Sequence, residues 1–325
     1  MKAWPAFALI AVLVLALAPQ GRAAEAAPFT LVTLGTTGGP LPRADRAQMA
    51  SLLDVDGEHY LIDAGDGVAR RLVQAGVDTT KVGRVFITHP HGDHTAGLAT
   101  LLSVAWQYGR HEPIQMIGPP GVDVVVQGAL AFDKADEDIR TSETRGAPLA
   151  EVVQTRVVGP GEVYKDAHVR VTAVENTHFQ FAPGSAAYGK YRSYSYRFDV
   201  GPRAIVFTGD TGPSQAVTDL AKGADILVSE ATASEELFAR MRKSGQWDAM
   251  TPAEREAQVF HMTHEHITPE QAGEMAAKAG VKTLVLSHLA GAGPPGDDYA
   301  RFAVAAAKAF HGKIIVAKDL MRIEP

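Results

Sequence analysis

The chain has 325 residues, 46% of them hydrophobic and 21% charged, with a formal net charge of -6 from 31 Lys and Arg against 37 Asp and Glu. This balance supports a globular fold with a large buried core; it excludes disorder, collagen and coiled coil, and offers no basic excess for holding a polyanion. The chain has no cysteine, so disulfides and thiolate metal sites are excluded and its 12 histidines become the residues to explain.

Residues 1–26 open with Lys2, run apolar from position 4 to 18 and reach the small-residue site Ala24-Glu25-Ala26, the layout of a secretory signal peptide. The apolar run is about fifteen residues, short of the roughly twenty that span a bilayer, so cleavage is expected rather than a stable membrane anchor. Losing Lys2, Arg22 and Glu25 with that segment takes the net charge from -6 to -7, and the expected location is the periplasm or the medium.

Residues 29–35, 51–55, 60–62 and 85–88 are short runs of branched and apolar residues between Gly and Asp turns, which predicts strands. Apolar spacing of three and four predicts helices over 67–75, 96–107 and 122–132. Residues 133–151, with Asp136, Glu137, Asp138, Arg140 and Glu143, read as a charged surface loop or partial lid. Strand character returns at Val152, then near 168–175, 193–200, 203–208, 225–229 and 282–287, with helices near 213–222, 234–243, 269–279 and 297–310. No linker divides these elements, so residues 27–325 are expected to form a single α/β domain of two similar halves.

After the apolar strand Val85-Phe86-Ile87 comes His89-Pro90-His91-Gly92-Asp93-His94, four potential ligands within six residues. Imidazole nitrogen and carboxylate oxygen suit zinc, and a strand-to-helix turn can aim several such side chains at one spot. Gly92 is expected to supply backbone conformations that are costly for other residues.

This motif resembles the His-x-His-x-Asp-His signature of the metallo-β-lactamase superfamily. Upstream, Leu34-Gly35-Thr36-Thr37-Gly38-Gly39-Pro40 and Leu61-Ile62-Asp63-Ala64-Gly65 are similar to its opening glycine loop and strand-Asp-x-Gly element. Downstream, Asn176-Thr177-His178, Phe207-Thr208-Gly209-Asp210 and Leu286-Ser287-His288 resemble the remaining ligand positions, in order and each after a strand. The resemblance covers about residues 29 to 316 and implies an αββα sandwich of two similar halves. It further implies that His89, His91 and His178 hold one zinc, that Asp93, His94 and His288 hold the other, and that Asp210 bridges them; manganese or iron could replace zinc in such a His and carboxylate site.

The chain looks most like the ribonuclease Z and arylsulfatase-like branch. There, His266-Ile267-Thr268-Pro269-Glu270-Gln271-Ala272 resembles a His- and Ser/Thr-containing motif opening a helix, departing from it at Ile267. Thr268 is placed to cap a helix from Pro269, which sets His266 near its positive end as a substrate or proton-transfer residue. His261 and His264 are read as solvated or supporting residues, and His59, His111, His168 and His311 as surface or packing ones.

The implied reaction is hydrolysis by a metal-bridging hydroxide, with Asp93 orienting it and His266 assisting the oxyanion or leaving group. The long arm by which ribonuclease Z engages tRNA has no counterpart in residues 179–209, and the net charge of -6 does not favour tRNA, so the expected partner is a small-molecule ester. Tyr188, Lys190, Tyr191, Arg192, Tyr194, Tyr196 and Arg197 form an aromatic and cationic segment; Tyr191 and Arg192 are its candidate contacts to an aryl sulfate or phosphodiester, while Tyr194 and Tyr196 also fit simple strand packing. β-Lactamase and lactonase remain alternatives, since the same nucleophile serves all four reactions and pocket walls decide. A non-catalytic metal-binding protein ranks lower because all seven ligand positions are filled.

Overall fold

The computed structural model describes residues 29–144, 146–291 and 293–325, besides Met1. The expected signal segment lies, Met1 apart, outside the described residues. Its strands are β1 (Phe29–Gly35), β2 (Ala50–Val55), β3 (Glu58–Ile62), β4 (Arg84–Phe86), β5 (Ile114–Gly118), β6 (Val153–Val157), β7 (Gly161–Lys165), β8 (Arg170–Glu175), β9 (Tyr194–Val200), β10 (Arg203–Phe207), β11 (Ile226–Thr232), β12 (Thr283–Ala290), β13 (Lys313–Val316) and β14 (Met321–Ile323). Its helices are α1 (Val68–Gln74), α2 (Gly92–Thr95), α3 (Leu98–Gln107), α4 (Val122–Thr144), α5 (Gln215–Leu220), α6 (Ser234–Lys243), α7 (Gln246–Ala249), α8 (Pro252–His264), α9 (Pro269–Ala279) and α10 (Ala300–Ala306).

Two seven-stranded sheets form, in the orders β14-β1-β2-β3-β4-β5-β6 and β13-β12-β11-β10-β9-β8-β7. In the first, pairing is antiparallel from β14 to β3 and parallel from β3 to β6. The second repeats the scheme, antiparallel from β7 to β10 and parallel from β10 to β13. The two similar halves expected from the sequence are therefore visible in the strand directions.

Period-two alternation assigns each strand residue to a layer. Leu31, Tyr60, Ile62 and Phe86 point between the sheets to meet Tyr196, Phe198 and Phe207. Their neighbours Val32, Leu61 and Val85 point outward, under α1, α3 and α4. Behind the second sheet, Val206, Leu227 and Leu284 pack under α5, α9 and α10. These layers make an αββα sandwich. Tyr194 and Tyr196 belong to the central layer, 2% and 0% exposed, as strand packing requires.

Residues 133–144 are not a loop: α4 runs unbroken through them to Thr144. The reason is local charge pairing, which apolar spacing does not report. Lys134 binds Asp138 at 2.6 Å and Asp136 binds Arg140 at 2.8 Å, both one turn apart. Glu137 turns inward and accepts the Leu149 amide at 2.8 Å, fixing the chain that leads to β6. Gly92 also departs from expectation. It opens α2 without a positive φ, and a Cβ there would meet nothing within 4 Å.

Candidate metal centre

All the motif residues stand at one edge of the sandwich, where the parallel strands end, the usual place for a site in such sheets. His89 follows β4, and α2 begins so soon after it that His91, Asp93 and His94 turn back over the same edge. His178 follows β8 and Asp210 follows β10. Asn176 ties those two ends together, its side-chain amide donating to the Thr208 carbonyl at 3.1 Å while its oxygen accepts the His178 amide at 3.1 Å.

His288 arrives by a bulge. Against β11, Ser287 faces Glu230 and Leu289 faces Ala231, leaving His288 as the extra residue, with φ 45°. Its ring passes so close to Gly38 that a Cβ there would lie 2.6 Å from Nδ1. The glycine loop is thus required by clearance as well as by turning. The next amide, Gly39, donates to Asp93 Oδ2 at 3.0 Å.

The ligand atoms of His89, His91 and His178 lie within 4.8 Å of one another, as do those of Asp93, His94, Asp210 and His288. A third group joins His178, Asp210 and His266. Asp210 stands between the first two: its Oδ1 is 3.3 Å from His94 Nε2, and its Oδ2 is 3.2 Å from His288 Nε2 and 3.9 Å from both His89 Nε2 and His178 Nε2.

Partners on the far side of each ring fix which nitrogen faces this cluster. Asp63 Oδ2 holds His94 Nδ1 at 2.8 Å, and the Thr88 hydroxyl donates to the same carboxylate oxygen at 2.9 Å. With its proton committed there, Thr88 Oγ1 accepts from His89 Nδ1 at 3.0 Å. His178 Nδ1 donates to the Glu265 carbonyl at 2.9 Å. In all three rings Nε2 is therefore the inward atom, the orientation metal ligands need.

His89 Nε2, His94 Nε2 and Asp210 Oδ1 face the cluster buried without a hydrogen-bond partner among the described residues. Orphaning a buried polar atom costs about 1–3 kcal/mol, and nitrogen and oxygen donors gathered in this way fit divalent cations. Burial, reinforced by the neighbouring His94 and His178, holds His89 well below the usual imidazole range. Burial does the same for His178. Burial opposes ionisation of Asp210, but His288 and His94 outweigh it and keep the carboxyl well below the usual carboxylate range. Neutral imidazole and ionised carboxylate are the ligating forms, which His89, His178 and Asp210 favour on their own. Burial of His94 and His288 is outweighed by the charge of Asp210 and its neighbouring carboxylates, which draws both rings above the usual imidazole range.

His266 occupies the end of α9 as expected, with Thr268 accepting the Gln271 amide at 3.3 Å and Gln271 returning a bond to the Thr268 amide at 2.8 Å. Ile267, the point of departure from the branch motif, is 1% exposed and packs beneath α9. Sequence reasoning did not assign the partner of His266. It is Glu230, buried in β11, whose Oε2 holds His266 Nδ1 at 2.8 Å while Oε1 accepts the Thr211 amide at 2.6 Å. Burial pulls the His266 ring down, but the charge and hydrogen bond of Glu230 prevail and raise it to about 9. Its Nε2 then meets His261 Nε2 at 3.3 Å, and His261 Nδ1 meets Glu265 Oε2 at 2.6 Å. The signals available were a lone Glu in the buried strand 226–232 and, for Asp63, the strand-Asp-x-Gly element itself.

The cluster forms the floor of a cavity of about 770 Å³, which His91, Asp93, Asp210, His266 and His288 line. Its walls come from the 37–45 loop and from α6, α7 and α8. Helices α7 and α8 were not expected, although Thr251-Pro252-Ala253-Glu254 carries a helix-start signature that the structure realises as a capping box. Tyr191 and Arg192 do not line this cavity. The Tyr191 ring lies over Gly121, and Arg192 pairs with Glu175 at 3.2 Å.

A two-sheet sandwich with imidazoles and carboxylates gathered at its carboxyl edge is the frame of a metal-binding hydrolase. Residues 58–289, which include every motif histidine and aspartate from His89 to His288, match the family described as "Beta-lactamase superfamily domain". The chain belongs to the metallo-β-lactamase superfamily and is an enzyme of its hydrolase class. A protein named ribonuclease Z from Mycobacterium sp. (strain KMS) is 30% identical over 295 residues, 90% of this chain and 95% of that one. Among solved structures, a metallo-β-lactamase fold protein from Bacillus subtilis superposes with a TM-score of 0.65 at 19% identity, covering 92% of this chain and 100% of the other. The short form of human tRNase Z gives 0.60 at 22%, covering 90% and 98%. At those identities the two structures establish the fold.

Proposed function

We propose that this protein is a dinuclear, zinc-dependent phosphodiesterase acting on a small organic ester, with aryl sulfate as the second substrate class. His89, His91 and His178 would hold one cation and Asp93, His94 and His288 the other, with Asp210 between them. When bound, the two cations supply Lewis acidity and lower the pKa of a shared water to about 7.

The protein's own groups contribute the rest. Asp93 is oriented by the Gly39 amide at 3.0 Å and His288 at 3.2 Å, so its carboxylate is fixed where a nucleophile would be aligned. Glu230 fixes the Nδ1 proton of His266 and raises the pKa of the ring, so Nε2, 3.3 Å from His261 Nε2 at the cavity wall, is the atom left to carry the second proton. That proton is placed to stabilise an oxyanion or reach a leaving group. A ribonuclease cleaves phosphodiesters, and the 30% identity to ribonuclease Z supports that bond type over sulfate, β-lactam or lactone.

The observation that carries the reading is a single cavity with the His/Asp cluster and His266 at its floor. A volume of about 770 Å³ suits a small molecule, and a net charge of -6 gives no drive toward tRNA. The test is turnover of nitrophenyl phosphodiester, sulfate, phosphomonoester and carboxylate ester by the metal-replete protein, with a β-lactam, a lactone and a precursor tRNA alongside. Phosphodiester turnover well above the rest, lost in His91→Ala, is expected. Selective tRNA cleavage or selective β-lactam or lactone turnover would overturn the substrate assignment.

A further inference from the structure

Away from the ligand cluster the cavity changes character. Leu41, Leu237, Met241 and Met262 line it there, an aliphatic and thioether surface suited to an uncharged organic body. Two arginines, Arg43 and Arg240, also line it. They differ in what they already hold.

Arg43 is committed. Its guanidinium binds Asp45 at 3.0 and 3.2 Å and the carbonyls of Gly293 and Pro294 at 3.0 and 2.9 Å. Arg301, which shares a neighbouring depression with Arg240, binds Glu236 and Asp297. Arg242, on the same helix as Arg240, lies over the Trp247 ring with its guanidinium carbon 5.3 Å from the centroid. Of the two arginines that line the cavity, Arg240 is the one that makes no side-chain hydrogen bond or ion pair with another of the described residues; Arg242 makes none either, but it rests on Trp247 and does not line the cavity. Arg240 projects from the last turns of α6, exposed, and contributes to the wall that holds Leu237 and Met241 one turn earlier and one residue later.

We propose that Arg240 is a specificity-determining residue that binds a second anionic group of the substrate, a carboxylate carried at the far end of an apolar body. This rests on the phosphodiesterase reading, in which the reacting ester sits at the His/Asp cluster. The substrate is then a small ester with charge at both ends and an apolar middle. The apolar part lies on Leu237, Met241 and Met262, and the forked guanidinium takes the carboxylate in paired hydrogen bonds. A cation without a partner among the described residues, at the wall of an acidic protein's cavity, gives such a substrate an attractive end point that a plain aryl ester lacks.

The test compares two non-hydrolysable probes that differ only in the distal charge, phenylphosphonate and its para-carboxylated derivative, binding to the metal-replete full chain by calorimetry. The carboxylated probe is expected to bind the unaltered protein about tenfold more tightly. That preference closes in Arg240→Ala, survives in part in Arg240→Lys and reverses in Arg240→Glu. No preference in the unaltered protein, or one that persists in Arg240→Ala, would overturn the inference. Turnover of bis(nitrophenyl) phosphate in parallel separates the two readings. Absent turnover with an Arg240-dependent preference overturns the phosphodiesterase assignment and leaves the anion site standing; turnover without that preference does the opposite.

Discussion

Oδ2 of Asp63 lies 2.8 Å from Nδ1 of His94, and both side chains are buried. The same carboxylate accepts the Thr88 amide at 2.8 Å and its hydroxyl, and through that hydroxyl it orients His89 as well. One aspartate outside the proposed ligand set therefore sets two rings, one in each metal group. Its positive φ of 61° shows that the backbone bends out of an ordinary strand exit to put it there.

Asp63→Asn is expected to weaken metal binding about 10- to 100-fold, because an amide cannot accept from His94, the Thr88 amide and the Thr88 hydroxyl together. The check is metal titration against a competing chelator. Both metal positions should weaken, since both rings depend on the one carboxylate. Unchanged affinity would show that ring orientation comes from packing alone.

Metal removal should destabilise the fold. The donors at the cluster are buried and partly unpaired, so cations that bind them stabilise the native state by mass action, about 2.7 kcal/mol at a hundredfold excess over Kd. Scanning calorimetry of chelator-treated protein should show a lower Tm that recovers on adding zinc, with metal content measured in both states. A Tm indifferent to chelation and readdition would contradict a resident metal at this cluster.

Glu230→Gln tests the His266 pairing. The amide is expected to lower kcat about tenfold to a hundredfold while KM changes little, because His266 loses the charge that keeps its ring protonated. Glu230 also accepts the Thr211 amide, so a folding control by near-UV circular dichroism belongs beside the kinetics. Loss of activity with an unchanged metal content and spectrum is the expected pattern.

How much of this could be read in advance depended on where the physics is written. His89, His91, Asp93 and His94 fall within six residues, and His178, Asp210 and His288 each follow an apolar run, which marked them, although β12 continues past His288 to Ala290 and the bulge that aims its ring was not legible. The extension of α4 was hidden because its stability comes from pairs such as Lys134 with Asp138 and from the long-range contact of Glu137 with Leu149. Glu230 sits in a strand buried at all seven positions, where apolar pattern dominates and a single carboxylate acquires meaning only when α9 brings His266 across. Arg240 belongs to a helix predicted from 234–243, but its place on the cavity wall follows from the turn through α7 and α8. Nothing local in the chain states that turn's direction.

Asp225 offers a test of the scaffold away from the centre. It is 4% exposed at the start of β11, where Oδ2 accepts the Ala204 amide at 2.8 Å and Oδ1 binds Lys282 at 2.6 Å. Burial works to raise its pKa, but the bonds to Lys282 and Ala204 prevail and hold it below the usual 3.8. A carboxyl with a depressed folded-state pKa contributes stability that is full above its unfolded pKa and lost as pH falls through the folded one. Asp225→Asn is therefore expected to cost about 1–3 kcal/mol at pH 7. The gap between variant and unaltered protein in urea melts should narrow as pH drops below about 4, where the native carboxyl takes up its proton. A gap that stays constant from pH 7 to pH 3 would show that the asparagine disturbs packing rather than charge.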